Sequence, residues 1–293
     1  MSQYQRLLVM INPALRQASS INHAAALARA SGASLHIAAL IAPVKGLSMF
    51  DEGDRKRVRK HYLQNQRDWL ETQAQTLRGR GIEVTTEVAW TDDLGQDIID
   101  HVTDMQPDLL IKQIQHESKL KRAFFTAFDW YLLRHCPVPV YLVGGSSFVL
   151  PRKVVAAVEV SEFDTDNALN DLIIKQARSL AMQCNAELHL LYACDIPAAY
   201  LADFGNLTLA ELTQSLRKDL EKSFLRLAGR YGVPSELRHL IEGHPVRVLS
   251  EFAHEHQVDV IVMGKTQSHA MGKLLGSTTE HILYQVPCCV LAV

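Results

Sequence analysis

The chain carries one pattern twice. The run Arg6-Leu-Leu-Val-Met-Ile-Asn12 returns as Lys153-Val-Val-Ala-Ala-Val-Glu159, and further segments return in the same order. Ala33-Ser-Leu-His-Ile37 matches Ala186-Glu-Leu-His-Leu190, Pro107-Asp-Leu-Leu-Ile-Lys112 matches Val258-Asp-Val-Ile-Val-Met263, and Cys136-Pro-Val-Pro-Val-Tyr-Leu-Val143 matches Val286-Pro-Cys-Cys-Val-Leu-Ala-Val293. A period of roughly 150 residues is far too long for a solenoid, so a whole domain has been duplicated. The fold must therefore close within half the chain, and about 145 residues suffice to bury a core. The copies fall at residues 1–148 and 149–293, joined by a short connection that favours close packing over free swinging.

Within the second copy, apolar runs alternate with helical periodicity. A strand over 153–159 leads to a helix near 166–184, and a second strand spans 187–193. Thr208-Leu-Ala-Glu211 opens the next helix with a capping-box pattern, whose apolar stripe is Leu209, Leu212, Leu216, Leu220 and Phe224. A short strand at 236–241 precedes Gly243-His-Pro245, with proline where a helix begins without needing its N–H. Helix 245–257, strand 259–263, helix 277–285 and strand 288–293 complete the unit. The first copy repeats the plan with a longer, more charged helix over 51–79. Alternating strands and helices predict an α/β, Rossmann-like domain around a five-stranded parallel sheet. With strand order 3-2-1-4-5, a ligand crevice lies between strands 1 and 4 at their carboxyl ends, here Glu159 and Gly264.

Composition removes several function classes. The hydrophobic fraction of 47% and charged fraction of 21% are those of a soluble globular protein, and a net charge of −2 leaves no basic stripe for nucleic acid. The cluster Arg55-Lys-Arg57 with Arg59-Lys60 reads as a solvated helix face. No apolar stretch reaches the roughly 20 residues that cross a bilayer, so no membrane insertion is expected. The N-terminus runs straight into a strand instead of a secretory signal. Cys136, Cys184, Cys194, Cys288 and Cys289 are odd in number and sit in or beside apolar runs, which suits reduced thiols in a cytoplasmic protein.

After the fourth strand the second copy reads Met263-Gly-Lys-Thr-Gln-Ser-His-Ala-Met-Gly-Lys-Leu-Leu-Gly276-Ser277. This run, with Gly243-x-Pro245 before it and Val286-Pro287 through Val293 after it, resembles the C-terminal signature of the universal stress proteins, G-x2-G-x9-G-[S/T] in their nucleotide-binding members. With both copies included, nearly the whole chain is similar to a tandem universal stress protein. Asp129-Trp130-Tyr-Leu-Leu-Arg134-His-Cys-Pro137 after Ile111-Lys112-Gln113 further resembles the E-type tandem members. The resemblance implies two adenine nucleotide alpha hydrolase-like domains and a non-catalytic stress-response module. It also implies an intramolecular pseudo-dimer in which Val138–Val143 faces Cys288–Val293, with a homodimer of chains as a further partner.

The same resemblance implies ATP, with Mg²⁺, in the second copy. Gly264, Gly276 and Ser277, in the run that Met263 opens, would surround the phosphates, with Lys265 and Lys273 adding positive charge and Gly272 a flexible point in the loop. Glu159, with Ser161 beyond it, stands where the family uses Asp near the adenine and ribose, and backbone at Ala193 and Cys194 would meet the adenine edge. Glycines admit close backbone approach, and N–H groups at a helix start supply donors and a favourable dipole. Two departures stand out. Gln267 occupies the place of the second glycine, and the loop from Gly264 to Gly276 is one residue shorter than the family spacing. Ser277 with Glu280 also forms an ordinary capping box. Gly264 also reads as a plain turn after a buried strand, and Glu159 as a solvated carboxylate at a strand end.

The first copy has lost the constellation. Gln113, Ile114, Gln115 and His116 replace the glycine-bearing opening, Asn12-Pro13 replaces the acidic position, and Thr126-Ala127 replaces Gly-Ser. Thr126 with Asp129 reads as a helix cap, and Lys112, ending a buried strand beside the crevice, calls for an ion pair or a snorkelling stem. No metal site is expected. His254 and His256 diverge on their helix, Cys288-Cys289 has no matching CxxC, and His269 with His281 makes only a weak pair. No nucleophile–base pair and no pyrophosphate loop after strand 1 argue for catalysis. The apolar loops 43–50 and 196–204 suit a lid, a protein partner or an apolar ligand. A ligand-sensing or scaffolding protein with a vestigial loop, and a slow ATPase, therefore stand as alternatives.

Overall fold

Runs such as Leu7–Met10 and Val154–Val158 carry no polar side chain, and a strand of that kind is stable only with both faces covered. In the computed structural model they lie at the centres of two parallel sheets. The structure describes residues 4–12, 19–42, 51–117, 122–124, 127–144, 148–160, 168–195, 209–265 and 285–293. The chain divides into two compact units, Met1–Gly144 and Gly145–Val293.

In the first unit the main sheet comprises β1 (Arg6–Met10), β2 (Ser34–Ile41), β3 (Val84–Trp90), β4 (Leu109–Gln113) and β7 (Val140–Val143). Their order is β3-β2-β1-β4-β7, the expected 3-2-1-4-5. Between them run α1 (Ser19–Ser31), α2 (Glu52–Arg78), α3 (Leu94–Met105) and α4 (Ala127–His135). Right-handed crossovers put α1 and α2 on one face and, where the direction of travel reverses after β3, α3 and α4 on the other. Accordingly α3 packs on β2 and against α4. An antiparallel hairpin, β5 (Gln115–Glu117) and β6 (Arg122–Phe124), follows β4 and has no forerunner in the sequence reading.

The second unit repeats the sheet as β10-β9-β8-β11-β12. These strands are β8 (Lys153–Val158), β9 (Glu187–Cys194), β10 (Arg238–Glu242), β11 (Val260–Met263) and β12 (Cys289–Ala292). Its described helices are α5 (Ala168–Cys184), α6 (Leu209–Arg230) and α7 (Pro245–Glu255). The helix expected over 277–285 lies mostly outside the described residues.

Equivalent residues perform equivalent tasks in the two units. Asp108 Oδ2 accepts hydrogen bonds from the Gln5 and Arg6 amides at 2.7 and 2.9 Å, stitching the start of β1 to β4. Asp259 Oδ2 does the same for the Arg152 and Lys153 amides at 2.8 and 3.1 Å, and is itself buried. Gln106 and Gln257 both follow their helices in the left-handed region, at φ 47° and 51°. The five cysteines are all buried and reduced. Burial raises the thiol pKa of Cys184 to about 12. No described helix is long and apolar enough to cross a membrane.

Candidate functional site

The carboxyl edge of the second unit is organised by β8, β9 and β11. In register, Val158 lies beside Tyr192, and β9 runs on through Ala193 and Cys194 past the end of β8. On its other side the same stretch pairs with β10, Ala193 opposite Ile241 and Cys194 opposite Glu242. The Tyr192 hydroxyl donates to the Val160 carbonyl at 3.2 Å, closing the step between the two strands. Burial first, then the neighbouring Cys194 and Glu159, keep that phenol protonated well above its ordinary range.

Glu159 is exposed, as a ligand carboxylate at a strand end would be. Its backbone is held from both directions, because its amide donates to Asn170 Oδ1 at 3.1 Å and the Asn170 side-chain amide donates to its carbonyl at 2.5 Å. The first turn of α5 thus fixes the position where Glu159 leaves the sheet. Met263 is buried at the end of β11, and the Val293 amide donates to its carbonyl at 3.0 Å. The Lys265 amide donates to the Val293 carbonyl at 2.8 Å, so the last strand holds both sides of Gly264.

Gly264 has a packing reason of its own. A Cβ there would stand 2.9 Å from Leu169 Cδ2 and 3.0 Å from Cδ1, so any larger residue would have to displace the end of the Leu169 side chain at the start of α5. Its φ lies outside the left-handed region, and the turn reading of this glycine gives way to close approach. Gly243, by contrast, has φ 139° and donates its amide to the Cys194 carbonyl at 3.0 Å, a geometry that favours glycine ahead of Pro245. Glu159, Ala193, Met263, Gly264 and Lys265 are therefore gathered on one edge of the sheet. Ser161, Gln267, Gly272, Lys273, Gly276 and Ser277 lie outside the described residues, as do the loops 43–50 and 196–204.

The matching edge of the first unit is built differently. Lys112, one residue before the end of β4, lies opposite Met10 of β1 and Leu142 of β7. Its ammonium donates to Asp129 Oδ1 from the first turn of α4 and lies 5.4 Å from the centre of the Phe128 ring. Of the two side chains, Asp129 is 1% exposed and Lys112 16%. The ion pair expected of Lys112 is present, and Asp129 is its partner. Beyond it, the backbone of 115–117 and 122–124 is paired in the hairpin, with Gln115 opposite Phe124 and Glu117 opposite Arg122. Part of this backbone is committed to the hairpin's own ladder.

A second constellation in the first unit was missed by sequence reasoning. His36 of β2, Glu87 of β3 and His101 of α3 converge with one potential ligand atom each, all within 4.8 Å of one another. These residues are far apart in sequence and fit no spacing motif, so only the strand register and the crossover of α3 could reveal them.

A model of the universal stress protein family matches residues 3–144 and again 152–293. The chain is 26% identical to universal stress protein E of Escherichia coli K12, covering 100% of this chain and 95% of that protein. It is 24% identical to the universal stress protein E homolog of Haemophilus influenzae, covering 99% and 97%. Among solved structures, one of a functionally unknown protein from Pseudomonas aeruginosa PAO1 superposes with a TM-score of 0.77 at 25% identity, covering 99% of this chain and 92% of that one. A universal stress protein from Archaeoglobus fulgidus shares the fold at a TM-score of 0.67 and 16% identity, covering 99% and 98%. With the strand order, the repeated stitching of β1 and β8, and a family match to each half, the chain belongs to the universal stress protein family as two of its domains in tandem.

Proposed function

We propose that this protein is a cytoplasmic stress-response module that binds one ATP, with Mg²⁺, in its second unit and none in its first. The observation that carries this reading is the contrast between the two crevices. In the first unit the Lys112–Asp129 pair stands at the carboxyl end of strand 4 and the chain runs on into a hairpin, while in the second the ends of strands 1, 2 and 4 carry Glu159, Ala193 and Gly264, at the edge where α/β sheets take nucleotides. Glu159 supplies a carboxylate for ribose hydroxyls, and the loop that follows Gly264 carries the glycines and Ser277 for the phosphates. Holding a nucleotide needs no general base, so the expected output is a ligand-dependent state of the domain, not turnover.

Gly264 favours a second reading, because its contact with Leu169 explains it without any nucleotide. In that reading the loop is vestigial and the chain scaffolds a protein partner or an apolar ligand. Gly264→Asp is a poor discriminator, since the clash disturbs α5 directly. The test is calorimetric titration of ATP and Mg²⁺ into the full chain and into Ser277→Ala and Gly276→Asp. Saturable binding weakened by both substitutions supports the ATP reading, and absence of binding at millimolar ATP overturns it in favour of the scaffold.

A further inference from the structure

The first unit holds a cluster at the other end of its sheet, away from the nucleotide edge. His36 sits early in β2, Thr85 lies directly opposite it in β3, and Glu87 lies two residues further along the same face. α3 returns across that face and delivers His101 from its second half. Glu87 Oε2 stands 3.8 Å from His36 Nε2 and 3.6 Å from His101 Nε2. Those separations are too long for hydrogen bonds, and both imidazole Nε2 atoms are buried without a hydrogen-bond partner. Three ligand atoms therefore surround a gap. Donors around a tetrahedral ion with bonds of about 2.0–2.1 Å stand about 3.4 Å apart, so the two carboxylate–imidazole separations are near that span and the whole set, within 4.8 Å, must draw together to close the site.

We infer that His36, Glu87 and His101 form a binding site for a divalent late first-row metal ion of the zinc type. The donor set selects the ion, because two imidazoles with one carboxylate suit Zn²⁺ and its neighbours, whereas Mg²⁺ and Ca²⁺ require oxygen ligands. His36 is already oriented for the task. Its Nδ1 lies 2.7 Å from Thr85 Oγ1, and in the tautomer that metal binding selects Nδ1–H donates to that hydroxyl and the Nε2 lone pair faces the gap. The Glu87 side chain is 41% exposed while His36 and His101 are 14% and 18%, so the carboxylate side is the route of entry. Three protein ligands leave a coordination position for water.

The duplicated unit supplies an internal comparison. By repeat and register, His189 corresponds to His36, His239 to Glu87 and Phe252 to His101. There the carboxylate and one imidazole are replaced, and the remaining rings satisfy each other directly, His189 Nδ1 lying 2.9 Å from His239 Nε2 and His239 packing on Phe252. In the second unit the imidazoles meet directly, with Glu187 Oε2 3.4 Å from His189 Nε2, whereas in the first the ligand atoms stand apart.

The test uses the full chain, tag-free and chelator-treated, titrated with Zn²⁺ by calorimetry and with Co²⁺ by visible absorption. Glu87→Gln preserves shape at a partly exposed position, and His101→Gln removes the second imidazole. The expected result is one ion per chain, an intense Co²⁺ band of a low-coordinate site, and affinity reduced at least tenfold in both variants. His239→Gln should leave it unchanged, and Thr85→Val should weaken it about tenfold as a positioning residue. Melting of the ion-free variants confirms that they fold, and a Zn²⁺-dependent rise in Tm should be present in the parent chain and lost in Glu87→Gln. Equal affinity in the parent chain, Glu87→Gln and His101→Gln, or no saturable binding at all, would overturn the assignment.

Discussion

Asp259 and Lys112 show how much single residues carry. Each Asp259 hydrogen bond joins a charged acceptor to a backbone donor, the stronger class of such bonds, and the carboxylate is 5% exposed. Asp259→Ala is expected to destabilise the second unit by about 2–3 kcal/mol, read as a lowered denaturant midpoint at unchanged slope. Lys112→Met strips the cation from a buried Asp129 and should cost about 3 kcal/mol, with the double variant Lys112→Met, Asp129→Asn recovering a large part. His239 makes a pH prediction. Burial first, then the positive charges of His189, His256 and Lys153, lower its pKa to about 4. The unfolded chain therefore binds its proton more readily, so the stabilisation is complete above about pH 6.5 and is lost as pH falls from there toward 4. Denaturation midpoints measured from pH 7 to 5 should decline in the parent chain and decline less in His239→Phe.

At the scale of elements, the expectations from hydrophobic periodicity hold within one or two residues. The strand expected over 187–193 is β9 at Glu187–Cys194, and the helix expected over 51–79 is α2 at Glu52–Arg78. These were legible because parallel strands buried on both faces read as unbroken apolar runs and amphipathic helices as stripes. The hairpin β5–β6 was not, because strands of three residues are too short to show an alternation. The His36–Glu87–His101 cluster was not, because cross-strand register and a crossover helix are non-local. The helix ends show one more consequence of duplication. Gln257 holds a left-handed conformation that glycine adopts without penalty, so Gln257→Gly should stabilise the second unit by about 1 kcal/mol, visible as a higher Tm.

For the whole molecule, one fold used twice has kept its frame and divided its edges. Both units share the strand order, the aspartate stitch and the left-handed glutamine after the helix. They differ at the carboxyl ends of strands 1 and 4, with the Lys112–Asp129 ion pair and a hairpin after the fourth strand in the first unit and the strand ends at Glu159 and Gly264 in the second. The candidate nucleotide site was readable in the sequence as a loop signature, yet its first glycine also packs closely against the Leu169 side chain. A packing contact between α5 and a strand end leaves no mark that a motif can show. The central claim, one nucleotide per chain and in the second unit alone, is tested most directly by native mass spectrometry of the full chain with ATP and Mg²⁺, alongside Ser277→Ala. The account predicts one nucleotide bound per chain, reduced in the variant; two per chain, or one that Ser277→Ala leaves untouched, would contradict it.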